Sequence, residues 1–210
     1  SDLRALEIPA VVAVAGILDE IEDGDELVLD GSEGTVIVKP DAAVMAEYTG
    51  KREVFLKEKK ELEQYIGKPT ITKDGVSVEL VANIGKPEDV EKVLQYDGEG
   101  VGLFRTEFLF MDRNLMPTEN EQFEAYKKVA EALKGKPVII RTLDIGGDKE
   151  IPYLGLAKDE NPFLGYRAIR FCLDRKEDVY KPQLRALLRA SAFGNIKIMI
   201  PLVTCIDEYR

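Results

Sequence analysis

From about residue 70 onward, short apolar runs alternate with stretches in which apolar residues recur at helical spacing. This alternation is typical of a parallel α/β sheet, because each strand is followed by a helix that returns the chain to the same edge. The apolar runs predict four strands, at residues 78–83, 100–105, 137–142 and 196–202. About 140 residues follow the predicted linker, whereas an eight-stranded barrel needs about 250. The pattern therefore fits either an open four-stranded sheet or half of a barrel.

Helical spacing predicts three helices within this α/β region. Thr118 and Glu121 have the spacing of a capping box, which marks the start of a helix. The apolar stripe of that helix consists of Phe123, Tyr126, Val129, Ala130 and Leu133. Two further helices are predicted at about 161–174 and 177–192, the second starting near Pro182. Together they fill the gap before the last strand.

The first part of the chain has a different pattern, with short β-branched runs between glycine and proline residues. These runs predict strands at 9–14, 24–31 and 34–40. Because about forty residues are too few for an independent core, we interpret residues 1–40 as the C-terminal part of a domain. Residues 41–69 are predicted to form a long linker helix that ends at Gly67, with a charged face exposed to solvent.

Composition and charge narrow the class of protein. The chain is 45% hydrophobic and 32% charged, as in folded globular proteins. It has neither an apolar run of membrane-spanning length nor the layout of a secretory signal, so we expect a cytoplasmic protein that does not bind membranes. Because its formal net charge is −10, we do not expect the chain to bind nucleic acid. The two cysteines, Cys172 and Cys205, lie in apolar surroundings and are interpreted as reduced structural thiols.

The absence of histidine restricts the chemistry most. With 0 His, this chain can contain no phosphohistidine, no histidine metal ligand and no imidazole proton carrier. Other side chains must therefore carry any function.

Two arginines stand at the ends of predicted strands and are the first candidates for a site. Arg105 ends the second strand and Arg141 lies at the end of the third. Ligands of parallel α/β folds bind at this edge, and the forked guanidinium suits a carboxylate or a phosphate. We therefore predict an anion clamp. The competing interpretation is that each arginine pairs with a local acid, for which Glu107 and Asp144 are close enough in sequence.

Two further elements are weaker candidates. Residues 144–149 follow the third strand, and the glycine pair within them is capable of turning backbone N–H groups toward an anion. Arg167 falls early in the predicted helix 161–174, where a local surface role is an equally good interpretation. Asp144, Asp148 and Glu150 are possible metal ligands or cation partners. No metal motif, Walker loop or catalytic triad is recognised in the sequence.

Four stretches resemble enzyme I of the bacterial sugar phosphotransferase system. They are GVGLFRTEFLFMDR at 100–113, RTLDIGGDKE at 141–150, ENPFLGYRAIR at 160–170 and LRALLRASAFG at 184–194. The resemblance runs from about Ala5 to the C-terminus. It implies a phosphoenolpyruvate-protein phosphotransferase, which passes phosphate from phosphoenolpyruvate to its own histidine and then to the carrier protein HPr, the first step of phosphotransferase-mediated sugar transport.

The resemblance also implies a fold and site residues. The fold would be part of a (β/α)8 TIM-type barrel, about its first four strands at 70–210, preceded by the linker helix and by the end of a swivelling phosphohistidine domain at 1–40. Arg105 and Arg141 match family arginines that contact phosphoenolpyruvate, and Arg167 is expected to do so too. The full-length enzyme would bind Mg²⁺ and form a homodimer.

The family's phosphohistidine stretch and its Mg²⁺ ligands would lie outside this chain. We therefore assign no catalytic residue and no metal ligand here, and we expect an internal fragment that is inactive alone. Cys205 does not lie in the motif of the family's proton-donating cysteine, so that role is not transferred to it. Two alternatives stay open, a relative such as pyruvate phosphate dikinase or phosphoenolpyruvate synthase, and a non-catalytic anion-binding fragment. The form of residues 82–85 and of 141–150 favours enzyme I.

Overall fold

The described chain forms two compact units, Ser1–Ile66 and Gly67–Arg210. The structure is a computed structural model, and it describes residues 8–111, 113–146, 151–156, 160–161 and 163–210. The elements of the first unit are α1 (Ile17–Glu20), β1 (Leu27–Asp30), β2 (Thr35–Val38) and α2 (Ala42–Leu62). The assignment of residues 1–40, 41–69 and 70–210 to separate domains stays a prediction.

β1 and β2 form an antiparallel hairpin. Its turn is built by Asp30, whose Oδ1 accepts hydrogen bonds from the backbone N–H groups of Ser32 at 2.9 Å and Glu33 at 3.0 Å. The predicted strand at residues 9–14 is wrong, because those residues are described without strand pairing. A β-branched run favours an extended chain, but a strand also needs a neighbour for its backbone hydrogen bonds, and β1 and β2 pair with each other.

The long helix α2 agrees with the predicted linker helix. Asp41 is its N-cap, and the Asp41 carboxylate accepts a hydrogen bond from the N–H of Val44 at 2.8 Å. A 3-10 turn, Glu63–Tyr65, continues it to the point where Gly67 takes a positive φ of 79°. None of the helices in the described residues is long and apolar enough to cross a membrane.

The second unit contains a parallel sheet of four strands in the order of the chain. Its strands are β3 (Ala82–Ile84), β4 (Val101–Arg105), β5 (Val138–Arg141) and β6 (Ile196–Met199). Its helices are α3 (Val90–Gln95), α4 (Glu119–Ala132), α5 (Ile169–Asp174), α6 (Lys181–Ala190) and α7 (Ile206–Tyr209). The last three predicted strands exist with shorter bounds. The first, predicted at 78–83, is a strand of three residues that begins only at Ala82. The arrangement is mixed α/β with a parallel sheet.

One face of this sheet is covered by helices. Val138 and Ile140 of β5 are buried and alternate with partly buried Ile139 and Arg141. The first pair packs against α4 and α6 in the main core, which includes Phe104, Tyr126, Val129, Leu133, Ala186, Leu187 and Ala190. Because side chains alternate between the faces of a strand, Arg141 lies on the face opposite these helices.

The helix predicted at 161–174 begins later than expected. Helix α5 starts at Ile169 because Ala168, with φ 50° and ψ −124°, has a backbone conformation that cannot continue a helix. Arg167 therefore precedes the helix instead of lying within it. The predicted helix 177–192 consists of a π-helical turn, Lys176–Tyr180, and of α6, which has a proline in its first turn.

Helix α4 begins at the predicted capping box. The N–H of Glu121 donates to Thr118 Oγ1 at 3.2 Å, and the N–H of Thr118 donates to Glu121 Oε2 at 2.6 Å. The backbone N–H of Thr118 and, next, the guanidinium of Arg113 lower the pKa of Glu121 to about 2. The ionised carboxylate is thus part of the folded state.

Replacing the cap residue by Thr118→Ala should lower the free energy of unfolding of the chain by about 1 kcal/mol, because one helix-end N–H loses its acceptor. Urea unfolding measures this change. Glu124→Ala, an exposed position on the same helix, is the matched control and should change the free energy by less than about 0.5 kcal/mol. Equal effects of both substitutions would contradict the role of the cap.

The lowered pKa of Glu121 also predicts a dependence on pH. Its contribution to stability should be complete above the unfolded pKa of 4.5 and should disappear as the pH falls toward about 2. Glu121→Gln removes this titration, so the variant should lose less stability than the wild type across that pH window. Unfolding curves at a series of pH values test the expectation, and parallel pH profiles would refute it.

Candidate functional site

Two arginines end neighbouring strands at the same edge of the sheet. β4 ends at Arg105 and β5 at Arg141, and the two residues are direct partners in the parallel register of these strands. This placement agrees with the sequence prediction. We name Arg105, Arg141, Arg167, Glu107 and Asp144 the strand-end cluster.

Arg141 is held by two carboxylates. Its Nη2 lies 2.6 Å from Glu107 Oε1, and its Nη1 lies 3.0 Å from Asp144 Oδ2. The backbone N–H of Asp144 also donates to Glu107 Oε1 at 3.2 Å. Glu107 is only 1% exposed, and a buried carboxylate needs such donors. The local pairing that the sequence left as a competing interpretation therefore exists for Arg141.

Arg167 joins the same cluster through Asp144. Its Nε and Nη2 lie 3.0 and 2.9 Å from Asp144 Oδ1, a two-pronged contact that fixes the guanidinium plane. Arg167 is 3% exposed and lies over the ring of Phe163, at 4.8 Å from its centroid. A surface role for Arg167 is therefore wrong. Asp144 therefore links Arg167 to Arg141, which in turn contacts Glu107.

Arg105 is held differently. Its guanidinium lies over the ring of Phe108, at 4.9 Å from the centroid. Its Nε is buried and has no hydrogen-bond partner within the part of the chain that the structure describes. Over the same residues, no ion pair joins it to an acid. Arg105 thus contributes a cationic group that the cluster's two carboxylates do not neutralise.

A buried glutamine ties these strand ends together. Gln183 of α6 is 0% exposed, and its Oε1 accepts from the N–H of Leu143 at 2.9 Å. Its Nε2 donates to Thr106 Oγ1 and to the Tyr126 hydroxyl, each at 3.2 Å. Thr106 Oγ1 in turn donates to the carbonyl of Arg141 at 2.8 Å. One amide therefore connects the segments that follow β4 and β5, and burial raises the pKa of the Tyr126 hydroxyl.

Sequence reasoning missed Gln183, although a signal was present. Gln183 stands three, four and seven residues before the buried Ala186, Leu187 and Ala190 of the same helix. A glutamine in that apolar stripe must find partners when it is buried. The stripe predicts a buried polar contact, whereas the partners depend on which loops the helix covers.

The described residues do not by themselves fit a magnesium site. Among them, no group of three or more His, Cys, Asp or Glu side chains could hold a metal ion. Glu107 and Asp144 instead accept hydrogen bonds from arginines. Asp148 and Glu150, together with the second glycine of the candidate anion loop and Lys149, lie outside the described residues.

The two cysteines are free thiols in different surroundings. Cys172 is buried and Cys205 is exposed. Burial, and to a lesser degree the charge of Asp144, raises the pKa of Cys172 to about 12. Cys172 therefore stays protonated at neutral pH, as expected of a structural residue.

Comparisons with known proteins agree with the motifs in the sequence. The family profile described as PEP-utilising enzyme, PEP-binding domain, matches residues 59–210. The profile described as PEP-utilising enzyme, mobile domain, matches residues 3–34. The first match includes the whole strand-end cluster.

Three relatives of this chain share one protein name. Over 207 residues, the chain is 58% identical to the phosphoenolpyruvate-protein phosphotransferase of Staphylococcus carnosus, 55% to that of Staphylococcus epidermidis and 53% to that of Bacillus subtilis. Each match covers 99% of this chain and 36% of the relative. The chain thus spans about 36% of the length of these relatives. The resemblance inferred from the four motifs is confirmed.

Gln183→Leu should lower the free energy of unfolding of the chain by about 2–3 kcal/mol. The leucine would remove a hydrogen-bond partner of the Leu143 N–H and of the Tyr126 hydroxyl in the core. Each buried group left unsatisfied costs about 1–3 kcal/mol. Chemical denaturation of the purified chain measures the loss. Gln95→Leu, at an exposed helix end, is the control with a change below about 0.5 kcal/mol. A loss no larger than that of the control would contradict the connecting role of Gln183.

Proposed function

Because its profile match shows that the chain belongs to the family of PEP-utilising enzymes, we propose that it forms part of the substrate site of a phosphoenolpyruvate-protein phosphotransferase. In this function the phosphoryl group leaves phosphoenolpyruvate for a histidine of the same enzyme and passes on to HPr. The observation that carries the proposal is the in-register placement of Arg105 and Arg141 at one sheet edge, with Arg167 linked to Arg141 through Asp144.

The chemistry of the cluster suits this substrate. Phosphoenolpyruvate carries a phosphate and a carboxylate, and the forked donors of arginine pair with both groups. The side chain of Arg141 keeps 19% of its surface exposed, so part of it is in contact with solvent. Arg105 supplies charge that no described carboxylate compensates. An incoming anion therefore meets a positively charged edge whose arginines are already oriented.

The arginines have a defined role in the transfer step. The bond between the phosphorus and the enol oxygen breaks, with pyruvate leaving as its enolate, while a bond from phosphorus to the histidine nitrogen forms. Negative charge is spread over the transferring group. Oriented guanidiniums stabilise that charge without reorganising during the reaction. The histidine itself must come from outside this sequence, which contains 0 His.

Several finer features belong to the proposed full-length enzyme. They are a complete (β/α)8 barrel, a cytoplasmic location, a homodimer, participation in sugar transport and the use of Mg²⁺. Support comes from the parallel order of β3 to β6 and from the names of the relatives. Magnesium would be held by residues that this chain does not contain, so we assign it no step here.

A non-catalytic role remains the second candidate for the chain on its own, favoured by the absence of histidine. We expect that the purified chain, incubated with radiolabelled phosphoenolpyruvate and HPr, transfers no label to HPr. The full-length enzyme serves as the positive control. Robust labelling of HPr by this chain alone would overturn the assignment of the acceptor histidine to another part of the protein.

Removing an arginine of the cluster should weaken substrate binding. In the full-length enzyme that contains this sequence, Arg105→Ala or Arg141→Ala should each cost about 1.5–3 kcal/mol, which is roughly a ten- to hundredfold increase in Kd for phosphoenolpyruvate. Titration calorimetry measures the change. Arg52→Ala, on the exposed surface of α2, should bind like the wild type. Unchanged affinity in both cluster variants would refute the proposed site.

A further inference from the structure

The residue that follows β3, Gly85, lies against the aromatic ring of Phe108. A Cβ atom placed on Gly85 would lie 2.8 Å from Cδ2 and 2.9 Å from Cε2 of Phe108. These separations are well inside the contact distance of about 3.5–4.0 Å between carbon atoms. The positive-φ residues of the chain do not include Gly85. Its lack of a side chain is therefore required by space and not by backbone conformation.

The backbone at Gly85 is anchored on both sides. Ile84, immediately before it, pairs with Phe104 in the sheet. The N–H groups of Gly85 and Lys86 both donate to Asp89 Oδ2, at 2.9 and 3.0 Å. A backbone held by a strand and by a capping carboxylate cannot easily shift away from the ring of Phe108. If a methyl group is added at position 85, the ring of Phe108 must therefore move.

The same ring supports the guanidinium of Arg105. Arg141 and Arg167 are oriented by carboxylates, whereas no carboxylate among the described residues forms an ion pair with Arg105, whose buried Nε, like that of Arg141, has no hydrogen-bond partner there. The aromatic face is thus the contact that orients Arg105. Phe108 thus contacts Gly85 on one side and Arg105 on another, so the absence of a side chain at Gly85 bears on the position of the ring and of the guanidinium.

We propose that Gly85 and Phe108 are positioning residues for Arg105. The space at Gly85 admits the ring, and the ring holds the uncompensated guanidinium beside Arg141 where an anionic substrate can reach it. This inference rests on the proposed function, because it assigns Arg105 a role in binding phosphoenolpyruvate. It adds the residue that follows β3 and a residue of the turn after β4 to the groups that shape the site.

The test uses the full-length enzyme with Gly85→Ala and Phe108→Leu, each in the wild-type and in the Arg105→Ala background. The measured quantities are the Kd for phosphoenolpyruvate and the Tm. With Arg105 present, each substitution should raise Kd about three- to tenfold, the range expected for losing one cation–π contact. In the Arg105→Ala background neither should raise Kd further, because the group that they position is gone.

Gly50→Ala is the matched glycine control. Gly50 lies within α2, and a Cβ there meets nothing within 4 Å. The Kd of the Gly50→Ala enzyme for phosphoenolpyruvate should therefore equal that of the wild type. A merely structural role would lower Tm and raise Kd equally in both backgrounds, which would overturn the proposal. Wild-type Kd in Phe108→Leu would also overturn it, even if Gly85→Ala fails to fold. Wild-type Kd in Arg105→Ala alone would refute the substrate role of Arg105, and with it this inference.

Discussion

The register between β4 and β5 is the constraint on which the site depends. Direct pairing of Arg105 with Arg141 places two positive charges at one sheet edge, where repulsion and lost hydration would both oppose folding. Glu107 and Asp144 offset this by meeting Arg141 at 2.6 and 3.0 Å. Folding therefore produces an oriented cationic edge only because buried carboxylates come with it.

The two interpretations of the arginines turn out to be compatible. Arg141 and Arg167 pair with local acids, as a structural role requires, and those same pairs fix the guanidinium planes before any ligand arrives. Preorganised donors lose less freedom on binding than mobile ones. The cluster has three guanidiniums and two carboxylates, and both carboxylates pair with Arg141 or Arg167. The excess positive charge therefore falls to Arg105, which lies on an aromatic face.

Apolar packing and polar hydrogen bonds both stabilise the structure behind this edge, each in a different way. The apolar face of the sheet packs on α4 and α6, a contact that is strong but has little directional preference. Gln183 adds directional hydrogen bonds. Its side-chain amide can form them only when Leu143, Thr106 and Tyr126 are correctly placed. The strand ends are thereby held in one arrangement, which a site for a small ligand needs.

The sequence by itself determined the parallel α/β character, the capping box of α4 and the positions of Arg105 and Arg141, because these follow from periodicity and from neighbours close in the chain. It failed at residues 9–14, where pairing partners decide, and at the start of the helix that follows Arg167, where the φ of Ala168 decides. Only the tertiary structure decided that Asp144 is shared between two arginines and that Arg105 rests on Phe108. Asp144 and Arg167 are 23 residues apart in sequence, and Arg105 meets Phe108 through the conformation of the 3-10 turn after β4, so neither contact follows from a hydrophobic period.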